Sequence, residues 1–139
     1  MDLRYHFVAT TAFALILLPF FGLKAFLVYL GGFFVDVDHY LYNVAQFKDF
    51  SLKKAYLFYS NGHKIYTNLL HIFHTIEFWI LLAVLGFFYL PFALVFFGLA
   101  LHMVMDGISH ASAPPHLRNC RANSFFKWLK TRKKRIFRS

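Results

Sequence analysis

Apolar residues fill two long zones of the chain, and helix-breaking residues divide each zone. The first zone runs from residue 7 to 35 and breaks at Pro19 and Gly22, and the second runs from 78 to 101 and breaks at Pro91. At about 1.5 Å per helical residue, the halves of these zones approach the thickness of a hydrocarbon core of about 30 Å. Read as two hairpins, the pattern predicts helices near residues 3–19, 22–43, 66–90 and 92–112.

The distribution of basic residues predicts the topology of these helices. Four lysines lie between the apolar zones, and nine of the 15 Lys and Arg residues lie between Arg118 and Arg138. Because basic segments remain cytoplasmic, an even number of crossings separates them, and Arg4 places the N-terminus on the same side. We therefore expect an all-α, polytopic membrane bundle of about four helices with both termini cytoplasmic. Residues 1–113 would form the membrane domain, with an interfacial loop at 46–65, and 114–139 a basic, aromatic tail.

Composition supports membrane insertion and restricts the chemistry available to a metal site. The 139 residues are 59% hydrophobic and 22% aromatic, which is too apolar for the surface of a small soluble domain. We expect an integral protein of a bacterial or archaeal cytoplasmic membrane. Cys120 is the single cysteine, so an intrachain disulfide and a cysteine-rich zinc motif are both excluded. A bound metal would have to use histidine and carboxylate ligands.

Four of the six acidic residues lie inside or at the edge of apolar segments. Each of these four has a histidine within four residues, and they are Asp36, Asp38, Glu77 and Asp106. An ionisable side chain in such a position costs about 2.5–3.5 kcal/mol on insertion scales. These acids therefore need charged partners or a metal ion.

The acids and histidines form sequence blocks whose spacing favours a shared site. Helical steps of three or four residues would place the members of the third and fourth blocks on one face of each helix. The hairpin topology brings all blocks to the cytoplasmic end of the bundle, which indicates one metal centre. The candidate ligands are His6, Asp36, Asp38, His39, His71, His74, His102 and Asp106.

Simpler roles remain open for each block. His6 could be an interfacial residue, and the block from Asp36 to His39 could cap the second helix, although acids at a helix C-terminus oppose the helix dipole. His71 and His74 could form hydrogen bonds between helices, with Glu77 paired to one of them. The pair of His102 and Asp106 could be a buried ion pair, and we interpret His63 and His116 as loop residues. His110 either shares the helical stripe of His102 and Asp106 or lies at a solvated helix end.

At these blocks the sequence resembles the YdjM-like family of membrane-bound, metal-dependent hydrolases. That family combines an N-terminal His, a D-x-D-H segment, a His-rich third block and H-x-x-x-D, and the matching positions here fall within residues 1–113. They are His6, Asp36 to His39, His71 with His74, and His102 with Asp106. The third block departs from the family pattern H-R-G-x-T-H-S, because it lacks the arginine and the glycine. The family is also similar to zinc-dependent phospholipase C and single-strand nucleases, which implies phosphoester hydrolysis.

The resulting hypothesis is a metal-dependent hydrolase acting on a small-molecule or lipid substrate at the cytoplasmic membrane face. A divalent metal, with zinc favoured and manganese or iron also possible, would lower the pKa of bound water towards about 7. Glu77 and Asp38 are the candidate catalytic residues. The basic tail would bind anionic lipid headgroups rather than nucleic acid, and a homo-oligomer is conceivable. A proton or metal-ion carrier and a noncatalytic, metal-stabilised scaffold are the alternatives.

Overall fold

The computed structural model describes residues 3–60, 70–111 and 124–136, and all regular structure in these ranges is helical. The prediction of an all-α chain is confirmed. The helices are α1 (Leu3–Phe21), α2 (Val28–Gly32), α3 (Val37–Phe47), α4 (Leu52–Ser60), α5 (Ile76–Phe88), α6 (Leu90–Ala111) and α7 (Phe125–Ile136). Shorter 3₁₀ turns cover Gly22–Leu27, Phe34–Asp36 and Ile72–His74.

The first apolar zone folds back on itself at Gly22, as its sequence predicts. Gly22 has a φ of 57°, a left-handed conformation that glycine adopts without the steric cost of a Cβ atom. Beyond this turn α2 runs antiparallel to α1, and the Thr11 and Tyr29 hydroxyl groups lie 2.6 Å apart across the pair. The rings of Phe7 and Phe33 pack edge to face with centroids 5.5 Å apart. The hairpin brings the start of α1 beside the end of α2.

Helix α6 packs between α2 and α5, and glycine allows the close approach of α2. A Cβ atom at Gly31 would overlap the carbonyl oxygen of Val95, and one at Gly98 would overlap the carbonyl oxygen of Val28. Small residues at such crossings are typical of helices that pack in membranes, where close van der Waals contact supplies much of the stability. The turn between α5 and α6 lies at Tyr89, just before Pro91, as the sequence predicts.

The predicted second helix, at 22–43, is interrupted in the structure. Phe33 has φ −128° and ψ −49°, which ends α2 after Gly32, and α3 begins only at Val37. Two consecutive glycines, Gly31 and Gly32, precede the break, and glycine lowers the helical preference of this stretch. Because of this break, Asp36 lies just before α3 and Asp38 lies in its first turn, rather than late in one long helix.

The predicted third helix begins later than expected. The sequence pattern predicts a helix from residue 66, but α5 starts at Ile76, and both His71 and Thr75 have extended backbones. The backbone N–H of Phe73 donates a hydrogen bond to the Asp38 carboxylate across the bundle, at 3.1 Å. This interhelical bond takes the place of a local helical one, so the prediction of a helical face shared by His71 and His74 is wrong.

Polar and apolar residues are distributed opposite to the pattern of a soluble protein. Phe20, Leu23 and Phe87 are each at least 77% exposed, whereas His6 and His102 are at most 1% exposed. Two helical stretches, Leu3–Ala45 including its turn and Leu90–Ser109, are long and apolar enough to cross a membrane. Helix α5 is apolar but shorter. Exposed apolar surfaces of this extent mark sites that contact a membrane or another protein.

The middle of the chain contains a helix where the sequence predicted an interfacial loop. Residues Leu52–Ser60 form α4, which follows a loop closed by a 2.8 Å contact between Lys54 Nζ and Asp49 Oδ2. The hydrogen bond from Lys54 holds the pKa of Asp49 below its ordinary value. The end of the predicted loop at 61–65, His63, His116 and the boundary near residue 113 lie outside the described residues.

Candidate metal centre

All eight candidate ligands gather at one end of the helices. They come from the start of α1, the start of α3, the segment before α5 and the second half of α6. Within the described residues they form four overlapping groups of three, and in each group one ligand atom per residue lies within 4.8 Å of the others. We call this set the His–Asp cluster, and its members are His6, Asp36, Asp38, His39, His71, His74, His102 and Asp106.

The centre of the cluster is a triangle of Asp36, His74 and His102. The two Nε2 atoms lie 3.2 Å apart. Asp36 Oδ1 lies 3.4 Å from His102 Nε2 and 3.6 Å from His74 Nε2. A tetrahedral ion with metal–ligand distances of about 2.0–2.1 Å separates its ligand atoms by about 3.3–3.4 Å. The triangle therefore has the dimensions of one face of a metal coordination shell.

Hydrogen bonds behind the triangle fix the tautomers of its two imidazoles. His102 Nδ1 lies 3.1 Å from the carbonyl oxygen of Gly32, and because that oxygen can only accept, Nδ1 carries the proton. His74 Nδ1 lies 3.0 Å from Asp38 Oδ2, and an ionised carboxylate is likewise an acceptor. In both neutral rings Nε2 then presents a lone pair to the triangle.

With both rings in the neutral form, the three facing atoms of the triangle are all hydrogen-bond acceptors. Two imidazole lone pairs and the Asp36 carboxylate face one another at 3.2 to 3.6 Å. Such an arrangement is repulsive unless a metal ion lies between the atoms or one Nε2 carries a proton that it donates to Asp36. Carboxylate or backbone acceptors that orient the second nitrogen of a histidine are the usual outer partners of metal-ligating imidazoles. These buried groups could therefore hold a metal ion.

His6 and Asp106 extend the cluster on the side of α1. His6 Nε2 lies 3.4 Å from Asp106 Oδ1, and the His6 ring stacks on His102 with centroids 4.1 Å apart. Asp106 Oδ2 lies 3.8 Å from His102 Nε2. His6 is almost completely buried, so the alternative of an interfacial His6 does not fit its position.

A second group of ligands adjoins the triangle on the side of α3. His39 Nδ1 lies 3.0 Å from Asp38 Oδ1 and 3.3 Å from Asp36 Oδ1. His71 Nδ1 lies 3.9 Å from Asp38 Oδ1, and its ring stacks on that of His39 at 4.0 Å. His39 and Asp36 thus connect the two groups. The cluster has enough potential ligand atoms for more than one metal ion.

The helix-dipole argument drawn from the sequence is wrong for Asp36 and Asp38. The break at Phe33 places Asp36 at the N-cap position of α3 and Asp38 in its first turn. The partial positive charge of a helix N-terminus stabilises carboxylates there, by about 0.3–1 kcal/mol at exposed sites. Capping alone does not explain the two acids, because no side-chain capping bond forms at Asp36 and the Asp38 carboxylate bonds to Phe73 and His74 instead.

Glu77 is the one candidate site residue that lies apart from these groups. Its carboxylate accepts hydrogen bonds from the Ser124 hydroxyl at 2.5 Å and from the Phe125 backbone N–H at 3.0 Å. Ser124 Oγ in turn accepts from the N–H of Lys127 at 3.2 Å. Glu77 therefore joins the start of α5 to the first turn of α7. The side chain of His110 lies outside the described residues.

Two contributors to these arrangements were not identified from the sequence. The Gly32 carbonyl orients His102, and no side-chain pattern reveals a backbone acceptor, although the Gly31-Gly32 pair could have indicated a close helix approach. Ser124 carries a recognisable signal, because serine is a preferred N-cap residue immediately before a helix.

No family model matches the chain, and the searches of curated proteins and of solved structures returned no match either. Function is consequently inferred from the geometry of the His–Asp cluster.

Proposed function

We propose that this chain is an integral-membrane, metal-dependent hydrolase that acts on a phosphoester or lipid-type substrate at the cytoplasmic face. The observation that carries the proposal is the triangle of Asp36, His74 and His102, whose facing atoms lie at metal-ligand spacing. The apolar exterior and the two membrane-length stretches support a position within a bilayer. The resemblance to YdjM-like hydrolases is consistent with the same chemistry.

Each part of the cluster has a distinct role in this proposal. Asp36, His74 and His102 hold a divalent ion, with zinc favoured by the mixed nitrogen and oxygen donors. A metal at this position would polarise the scissile bond and lower the pKa of a water molecule towards about 7. Asp38 orients His74, and the overlapping group with His39 offers a place for a second ion.

The basic helix α7 places the site next to the lipid surface in this proposal. Its sequence alternates aromatic and basic residues, and Phe126 is exposed on its surface. Such helices lie in the headgroup region and attract anionic lipids. The bond between Glu77 and Ser124 keeps the start of α7 beside the first turn of α5, which follows directly after the cluster residues of the third block.

An ion carrier is less well supported by the described residues. A carrier needs polar groups that lead from the cluster to the opposite end of the helices. Ala14, Val28 and Leu94 instead form a fully buried apolar core next to the Thr11 and Tyr29 pair. This core leaves no polar route through the described part of the bundle.

The test combines metal content with hydrolysis in detergent-purified protein. The Asp36→Ala, His102→Ala double variant removes two corners of the triangle, and Asp49→Ala removes a carboxylate that is paired with Lys54 outside the cluster. We expect stoichiometric zinc, manganese or iron in the wild type and the Asp49→Ala control, loss of metal in the double variant, and parallel loss of bis(p-nitrophenyl) phosphate hydrolysis. Equal metal content in all three proteins would refute the proposed metal centre. Metal loss without any hydrolysis in the wild type, across phosphodiester and phospholipid substrates, would favour the scaffold alternative.

A further inference from the structure

An apolar groove opens beside the His–Asp cluster, between α2, α5 and α6. It has a volume of about 180 Å³ and is open on one side. Its lining is hydrophobic and includes Leu30, Phe34, Val35, Phe73, Leu82 and Val95. An apolar cavity of about 150 Å³ stays dry and is large enough to bind benzene. The groove is therefore a place for hydrocarbon rather than for water.

The groove lies next to the cluster along the chain, although none of the eight cluster residues lines it. Val35 lines the groove and is followed by Asp36, and Phe73 lines it and is followed by His74. Two corners of the ligand triangle thus project from the same backbone segments that form the groove wall.

The open side of the groove faces the part of the surface that a bilayer would cover. Leu30 and Phe34 form its rim, and both side chains are more than half exposed. The rim belongs to Leu3–Ala45, one of the two stretches with the length and apolarity to cross a membrane. Hydrocarbon from the bilayer could enter sideways without crossing water.

We infer that this groove binds one acyl chain of a lipid substrate and places its headgroup linkage at the His–Asp cluster. The inference rests on the proposed hydrolase function and narrows its substrate class to lipids with long hydrocarbon chains. A water-soluble phosphoester would use the metal ligands but leave the groove empty. The groove would therefore favour substrates that carry a hydrocarbon chain.

Photocrosslinking tests the occupant directly, without requiring turnover. The probe is a phosphatidic acid with a diazirine at the middle of one acyl chain, incorporated into phosphatidylglycerol and phosphatidylethanolamine vesicles that contain the purified full chain. Leu30→Trp fills the groove from its rim. Ile16→Trp is the matched control, because Ile16 is an exposed residue of α1 that does not line the groove.

We expect wild-type labelling to be concentrated on Phe34, Phe73 and Leu82, and to fall about tenfold in Leu30→Trp but not in Ile16→Trp. A tenfold loss corresponds to about 1.4 kcal/mol, roughly the burial of two methylene groups. Even labelling of all exposed apolar residues, or crosslinks from the groove to a second copy or to residues 61–69, would overturn the inference.

The same samples separate this inference from the proposed function. Wild-type protein that holds metal and hydrolyses phosphoesters, but shows no concentrated labelling in the groove, would refute the acyl-chain site alone. Concentrated labelling in protein that binds no metal would refute the hydrolase and leave the lipid-binding groove supported.

Discussion

Replacement of Asp38 by asparagine tests whether the hydrogen bonds behind the metal ligands control metal affinity. Asp38 Oδ2 accepts from the Phe73 backbone N–H and from His74 Nδ1, at 3.1 and 3.0 Å. The asparagine side chain would keep nearly the same shape and one acceptor oxygen, but it would remove the negative charge that makes His74 a stronger ligand. The change therefore isolates the charge of this carboxylate from its packing.

The expected loss follows from the difference between charged and neutral hydrogen bonds. Hydrogen bonds to charged groups contribute about 1.5–3 kcal/mol, against about 0.5–1.5 kcal/mol for neutral ones. A difference of about 1.4 kcal/mol corresponds to a tenfold change in affinity. We expect Asp38→Asn to weaken zinc binding by about 10- to 100-fold, the range found for outer partners of metal ligands.

Equilibrium dialysis of detergent-purified protein against buffered zinc measures this change. Asp49→Asn is the matched control, because Asp49 is paired with Lys54 in the loop before α4. Unchanged zinc affinity in Asp38→Asn, or an equal loss in the control, would refute the role assigned to Asp38. A fall in the number of bound ions from two to one, with the remaining affinity unchanged, would instead identify Asp38 as a direct ligand in the group with His39 and His71.

Three further predictions follow from the packing, the tail and the metal. Gly98→Ala should destabilise the bundle by about 1–3 kcal/mol in thermal unfolding, because its Cβ would meet the Val28 backbone. Gly107→Ala, whose Cβ would have no atom within 4 Å, should be neutral or stabilising in the same assay. Glu77→Gln and Ser124→Ala should both speed trypsin cleavage in α7, because each change weakens the contact at the start of that helix. Loss of hydrolysis in Glu77→Gln with unchanged cleavage would instead support Glu77 as a catalytic base. Chelation should lower the unfolding free energy by about 2.7 kcal/mol relative to protein at a metal concentration about 100 times the Kd, and an unchanged melting temperature would contradict binding to the folded state.

The sequence was sufficient to predict the membership of the cluster. Ionisable residues are scarce in the apolar zones, so Asp36, His102 and Asp106 stood out against their neighbours, and the hairpin pattern placed them at one end. The structure brings these residues and the other five candidate ligands into overlapping groups. The turns at Gly22 and before Pro91 were also predicted, because the conformational preferences of glycine and proline are local properties.

The backbone of the cluster could not be predicted in the same way. The helix break at Phe33 and the delayed start of α5 depend on partners that are distant in sequence, such as the bond from Phe73 to Asp38. Helical spacing was therefore a wrong guide to the geometry of the third block, although the histidines it selected do lie in the His–Asp cluster. The separation of Glu77 from the cluster was not predictable for the same reason, because its partner Ser124 follows it by 47 residues and belongs to the tail.

The His–Asp cluster offers more potential metal ligands than a single structural zinc site uses. A closed structural zinc site uses four ligands, whereas this cluster contains three carboxylates and five imidazoles in overlapping groups. With neutral imidazoles the three buried or partly buried carboxylates carry a charge of −3, and one divalent ion would leave part of that charge uncompensated. A second divalent ion or protonated histidines would complete the neutralisation. Both arrangements provide groups beyond those needed to pin the helices together, and such groups can bind a substrate oxygen or transfer a proton. The proposed hydrolase would use these additional ligands in this way, and the metal and hydrolysis assays decide between it and the scaffold.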